Sequence, residues 1–333
     1  MSRIDERLGA AARRYAGPRP RARQLALVAL CLALASPGLA QDRVQTDRIR
    51  PDRIEVVTTT TDLRSLTEAV GGERVAVVSL APATMNAEDY QPKPQDVVRL
   101  THARLLVRVG LDYDLWVDRL LAQAGRPEIG RGGPFYVDTS RDIAALELRG
   151  MSVGPGDGHA HGSGNPHYWL DPQNADLITG SILEALERID PEHAAGYEAR
   201  RAAFLLRLQA KLAEWENALA PLKALPMVAY HDSWPYFARR FRLDLLGFIE
   251  IKPGVPPSPS HLAGLIQAMR AGGARIVVRE PHEPDRDVAF VADKAGATVV
   301  TLAASVGALP QAGDYFALFD ADVAALKAAA AAK

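Results

Sequence analysis

The chain has 333 residues, which at roughly 100–200 residues per domain suggests two domains or one large one. A 48% hydrophobic and 24% charged composition is that of a folded globular protein and excludes disordered, collagen-like and multi-span membrane architectures. The 39 basic and 40 acidic residues give a net charge of −1, but that near balance hides an uneven distribution.

Residues 1–40 contain seven arginines (Arg3, Arg7, Arg13, Arg14, Arg19, Arg21 and Arg23) and two acids, Asp5 and Glu6, followed by an apolar run at 25–35. Basic, then apolar, then small is the order of a secretory signal peptide. The run is too short to span a bilayer, which takes about 20 residues. Gly38-Leu39-Ala40 places small residues at the two positions a signal peptidase reads, so cleavage after Ala40 and a periplasmic location are expected. Lipidation at Cys31 is disfavoured, because bulky Leu30 precedes it and no spacer follows the apolar run. Subtracting the seven arginines and two acids leaves 32 basic against 38 acidic residues, a net of −6, which argues against a nucleic-acid partner. The only cysteine leaves with the segment, whereas all eight histidines remain. The exported chain therefore has neither thiol nor disulfide.

Residues 41–53 read as a flexible lead-in. From residue 54, short β-branched runs at 54–58, 75–80, 105–109 and 135–137 alternate with helical patterns at 62–70, 96–102 and 114–124. Such alternation predicts βαβ units around a parallel sheet covered on both faces. A glycine-rich loop at 150–164 interrupts it, then helical patterns follow at 171–189 and 193–222. The second is far longer than the usual 11–12 or so residues and suits a connector between lobes. The rhythm restarts with strands at 227–230, 245–249, 275–278 and 298–302 and helices at 234–240, 261–272, 285–296 and 315–331. Residues 253–259 hold four prolines and predict a stiff loop, with Ser260 as N-cap of the next helix. The expected fold is α/β: an N-terminal lobe at 54–192, a linking helix at 193–222 and a C-terminal lobe at 223–333, with a cleft between the lobes.

No cysteine nucleophile, G-x-S-x-G elbow, H-E-x-x-H pair, Walker loop or G-x-G-x-x-G after the first strand is present. What remains is the histidines, and neutral imidazole is the commonest protein metal ligand. His159, His161 and His167 cluster between Gly158 and His167. His159 and His161 suit a solvated loop, whereas Asn165-Pro166 restrains the chain before His167 and Tyr168-Trp169-Leu170 can pack around it. His231 follows the strand at 227–230, at the carboxyl end where open α/β sheets place ligands. Glu88 and Glu280 also follow strands, although a strand-end acid has plainer uses, capping a helix or pairing with an arginine such as Arg279. His102, His193 and His261 suggest no role.

Two segments then carry a resemblance. Asn165-Pro-His-Tyr-Trp-Leu-Asp-Pro172 and Ala229-Tyr-His-Asp-Ser-Trp-Pro-Tyr-Phe-Ala238 resemble hallmark segments of the zinc/manganese solute-binding proteins of ABC transporters, the cluster A-I family. Tyr90-Gln-Pro-Lys-Pro-Gln-Asp96 and Gly313-Asp-Tyr-Phe-Ala-Leu-Phe resemble two further family segments less specifically, and the likeness spans about residues 54–330. It implies two α/β lobes bridged by a rigid helix, with one metal held between them by four side chains. His167 and His231 fall where the family has its second and third ligands. Glu88 stands where the first, usually histidine, would be, and Ala304 where the fourth, usually aspartate, would be.

Alanine cannot ligate, so Glu280 is the expected substitute, because neighbouring parallel strands bring their carboxyl ends together; His282 is the alternative. The resemblance further implies a periplasmic receptor, not an enzyme, that delivers Zn2+ to an ABC transporter membrane permease, with Mn2+ as the alternative ion. Two carboxylates soften the zinc preference, while His159 and His161 restore it as a possible capture loop. A monomer is expected. Two rival readings are an exported zinc hydrolase with an open coordination position and a member of the same fold that no longer binds metal.

Overall fold

The computed structural model describes residues 53–146, 164–252 and 254–331. The expected export segment 1–40, the expected lead-in up to residue 52, and His159 and His161 lie outside these residues.

Apolar β-branched runs and amphipathic helices alternate as expected. Strands β1 (Ile54–Thr58), β2 (Val75–Ser79), β3 (Leu105–Arg108) and β4 (Tyr136–Asp138) are joined through helices α1 (Thr61–Gly71), α2 (Pro94–His102) and α3 (Trp116–Ala124). They form a parallel sheet in the order β2-β1-β3-β4. After α4 (Ala175–Ile189) comes α5 (Ala194–Leu219), whose 26 residues span about 39 Å at 1.5 Å per residue. Its buried Tyr197, Phe204, Leu208, Trp215 and Leu219 recur every four or seven positions, a narrow stripe along one side.

The second lobe repeats the plan. Strands β5 (Pro226–Ala229), β6 (Asp244–Phe248), β7 (Ile276–Arg279) and β8 (Thr298–Thr301) are joined through α6 (Pro235–Phe241), α7 (Pro259–Gly272) and α8 (Asp285–Ala295). The order is β6-β5-β7-β8, again parallel. The closing helix α9 (Tyr315–Ala331) returns along α5. There Phe204 meets Phe316 and Trp215 meets Phe319, both at 5.0 Å between ring centroids. The Trp215 indole donates to Asp320 at 2.7 Å.

Side chains alternate across the second sheet. Met227, Ala229, Ile276 and Val278 join one core that runs through α5 and α9 into the first sheet. Val228 and Val277 face the other way, onto Leu262, Ile266, Val288 and Val291 of α7 and α8. Burial of both faces accounts for unbroken apolar strands such as Ile276-Val277-Val278.

Three local expectations are corrected. Helix α7 is capped by Ser258, whose side chain accepts the His261 amide at 3.2 Å, and not by Ser260; Pro259 fits the first helical position, where no N–H is needed. Helix α4 starts at Ala175, because Asp171 caps a preceding short 3-10 turn at Pro172–Asn174. Helix α3 starts at Trp116, because Asp114 is consumed as a buried partner of Arg108, 2.6 Å away. That carboxylate also accepts the Val109 and Gly110 amides at 2.8 and 3.3 Å, fastening a turn in which Gly110, Leu111 and Asp112 all have positive φ. A Cβ on Gly110 would come within 2.1 Å of Asp138 Oδ1, so only glycine fits.

Candidate metal centre

Strand order decides which loops meet. In each sheet the first strand lies between the second and third, so chain direction diverges at the β1/β3 and β5/β7 pairs, and crevices open outside the carboxyl ends of such pairs. His231 follows β5 and Glu280 follows β7, which places both at the opening of the second sheet.

Glu88 lies in a short 3-10 turn, Ala87–Asp89, after β2; Asn86 caps it by accepting the Glu88 amide at 3.0 Å. The Tyr90–Asp96 segment braces this turn. Asp96 accepts the Tyr90 hydroxyl and the Lys93 amide, both at 2.7 Å, and Trp116 donates its indole N–H to Ala87 O at 2.8 Å.

His167 is set by Asn165, whose Oδ1 accepts the His167 amide at 3.0 Å and lies 3.2 Å from its Nδ1. The Asn165 Nδ2 donates across the cleft to Asp232 O at 2.8 Å, so one amide side chain ties the two histidine segments together. The Tyr168 hydroxyl donates to Val109 O at 2.6 Å, while Tyr113 and Trp169 flank the His167 ring at 5.4 and 5.3 Å between centroids.

Glu88, His167 and His231 are all buried, with 6%, 3% and 9% exposure, and their ligand atoms lie within 4.8 Å of one another. His167 Nε2 is 3.4 Å and His231 Nε2 3.9 Å from Glu88 Oε1. The two imidazoles meet edge to face at 5.4 Å between centroids. Burial disfavours charge on His231, but the Glu250 and Glu88 carboxylates outweigh it and hold the imidazole well above its ordinary pKa.

Glu280 is not within that threefold group. Its Oε1 accepts the Ser233 hydroxyl at 2.6 Å, and it stands with His282 and Glu283 in a second group of ligand atoms within 4.8 Å of one another. Arg279 does not take up its carboxylate; the guanidinium donates to the backbone carbonyls of Glu280, Pro281 and Glu283. Burial and the neighbouring Glu280 push the Glu283 carboxyl up to about 9. Ala304 is buried, and its carbonyl accepts the Trp169 indole N–H at 2.8 Å.

Two residues that no motif marks also belong here. Glu250 lies 2.7 Å from His231 Nδ1; as an acid at a strand end it carries the same signal as Glu88 and Glu280. Asp62, fully buried at the start of α1, accepts the Val306 amide of the other lobe at 2.8 Å. Burial raises its pKa to about 7, and only the three-dimensional approach of the lobes discloses it.

Two parallel four-stranded lobes linked by a long helix, with buried imidazoles and carboxylates converging between them, define a metal-binding solute-binding protein of an ABC transporter, of cluster A-I. The chain belongs to the family of zinc-uptake complex component A, periplasmic, whose model matches residues 56–329. It is 28% identical over 255 residues to a putative metal-binding protein of Treponema pallidum (strain Nichols), covering 75% of this chain and 79% of that one. It is 24% identical over 250 residues to the manganese ABC transporter substrate-binding lipoprotein PsaA of Streptococcus pneumoniae, covering 73% and 77%. A crystal structure of ZnuA superposes with a TM-score of 0.71 at 26% identity, covering 84% of this chain and 99% of that one. Relatives are named for zinc, manganese and iron, and the group comprises substrate-binding proteins, not enzymes.

Proposed function

We propose that this protein captures one divalent transition metal ion in the interlobe cleft and delivers it to an ABC permease for import. The observation that carries the reading is the convergence of Glu88, His167 and His231, buried and with ligand atoms within 4.8 Å of one another. Imidazole and carboxylate together suit zinc and manganese, and at such an N/O site zinc binds more tightly than manganese by the general divalent order, so zinc is the favoured cargo. Glu280, beside the same opening and hydrogen-bonded through Ser233, is the proposed fourth ligand, with His282 as the alternative. His159 and His161 are proposed as an outer capture pair.

The basic segment 1–40 is proposed to direct export and to be removed after Ala40, leaving a periplasmic monomer whose lobes span 54–192 and 223–333 around the linking helix. Amino-terminal sequencing of the periplasmic protein should begin at Gln41.

Calorimetric titration of the metal-free mature protein with Zn2+ tests the central reading. One ion per chain is expected, with binding abolished in the His167→Ala, His231→Ala double variant. A stoichiometry far from one, or affinity indifferent to that double substitution, would sink it.

A further inference from the structure

The His231 ring has two nitrogens with different neighbours. Nε2 faces Glu88 Oε1 at 3.9 Å and the His167 ring. Nδ1 is 2.7 Å from Glu250 Oε2. We infer that Glu250 is a positioning residue for the metal site: its carboxylate fixes the His231 ring so that Nδ1 carries the proton and Nε2 presents its lone pair to the cleft. This rests on the metal reading proposed above and adds a residue that touches no ion.

The placement of Glu250 is built in twice. Its amide donates to Tyr230 O at 2.8 Å, carrying the pairing of β5 with β6 to the residue just before His231. Its other carboxylate oxygen, Oε1, accepts the Gly254 amide at 2.8 Å, in a turn where Gly254 has φ +72°. One oxygen is thus anchored to backbone and the other faces the imidazole. A plain surface ion pair does not describe this carboxylate: its side chain is only 11% exposed and lies against the equally buried His231. A carboxylate hydrogen-bonded to the far nitrogen of a ligating histidine sets its tautomer, holds its plane and raises its basicity.

Removing such a partner costs roughly 10–100-fold in metal affinity. Co2+ titration of the metal-free mature chain, followed by visible absorption, should show Glu250→Ala weakened by about that factor with an altered band shape. Glu250→Gln, whose amide oxygen still accepts from Nδ1–H, should recover part of the affinity and the wild-type band shape. In the unsubstituted zinc-bound protein, 15N-histidine NMR should show His231 protonated at Nδ1, a measurement that needs no variant to fold. Protonation at Nε2, or Glu250→Ala binding Co2+ like the wild type while His231→Ala does not, would overturn this inference alone. Wild-type binding by His231→Ala would instead overturn the metal reading beneath it.

Discussion

The indole Nε1 of Trp169 donates to the carbonyl oxygen of Ala304 at 2.8 Å, which fastens the loop after β8, where the family resemblance implies a fourth ligand, to the residue two places after His167. Ala304→Asp should tighten Zn2+ binding by about tenfold or more, on the scale of one added charge-assisted contact. The same carboxylate, buried beside the Asp62–Val306 contact, should lower the melting temperature of the metal-free protein. Thermal unfolding with and without Zn2+ checks both; an unchanged affinity would show that position 304 does not face the ion.

Glu280 is within the second group of ligand atoms and hydrogen-bonded to Ser233. If it is the fourth ligand, Glu280→Ala should weaken Zn2+ binding far more than Ala304→Gly does. Equal and negligible effects in calorimetry would remove Glu280 from the site, and His282→Ala is then the variant to measure.

Metal affinity should fall on acidification, because a proton on His231 competes with the ion. The free imidazole has an ordinary pKa of about 6.5, but Glu250 and Glu88 overcome the burial penalty and hold His231 well above it. The sign follows: a raised pKa favours the protonated ring in the metal-free protein, so binding should release a proton and affinity should begin to decline above the ordinary histidine range. Calorimetry of Zn2+ binding at pH 7 in buffers of different ionisation enthalpy should report proton release. No release would contradict it.

Asp62 offers a stability test. Its carboxyl is raised from 3.8 to about 7, chiefly by burial, so the folded state holds this proton more tightly than the unfolded chain does. Ionised Asp62 therefore costs stability, a cost absent below pH 3.8, growing as pH rises, and complete above about 7. Its upper bound is about 4 kcal/mol at 1.36 kcal/mol per pKa unit. Asp62→Asn keeps an oxygen for the Val306 amide, so its melting temperature relative to wild type should rise between pH 5 and pH 8 in metal-free protein. A difference independent of pH would disprove the assignment.

Much of this was legible along the chain, since parallel strands buried on both faces announce themselves as unbroken apolar runs. Alternating runs from Ile54 to Thr301 disclose the α/β lobes, and the widely spaced apolar stripe from Tyr197 to Leu219 discloses the linking helix. His167 and His231 could be singled out because each sits in a segment of uncommon residues, and Glu88 because the family resemblance aligns it with an expected ligand. Boundaries were less legible where a side chain had a competing use. Ser258 rather than Ser260 caps α7, and Asp114 leaves helix α3 to neutralise Arg108, because the amide or charge that a polar side chain meets depends on how the loop is folded.

The linear chain sets the inventory: two βα lobes, a connector, no cysteine beyond residue 31, and two histidines in specific surroundings. Folding in three dimensions brings the ligand atoms of Glu88, His167 and His231 within 4.8 Å of one another, groups Glu280 with His282 and Glu283, and sets Glu250 behind His231. Distances between loops at the ends of separate strands are set by sheet order and lobe packing, and neither is encoded in local spacing; a carboxylate 19 residues from its imidazole becomes its partner because β5 and β6 lie side by side.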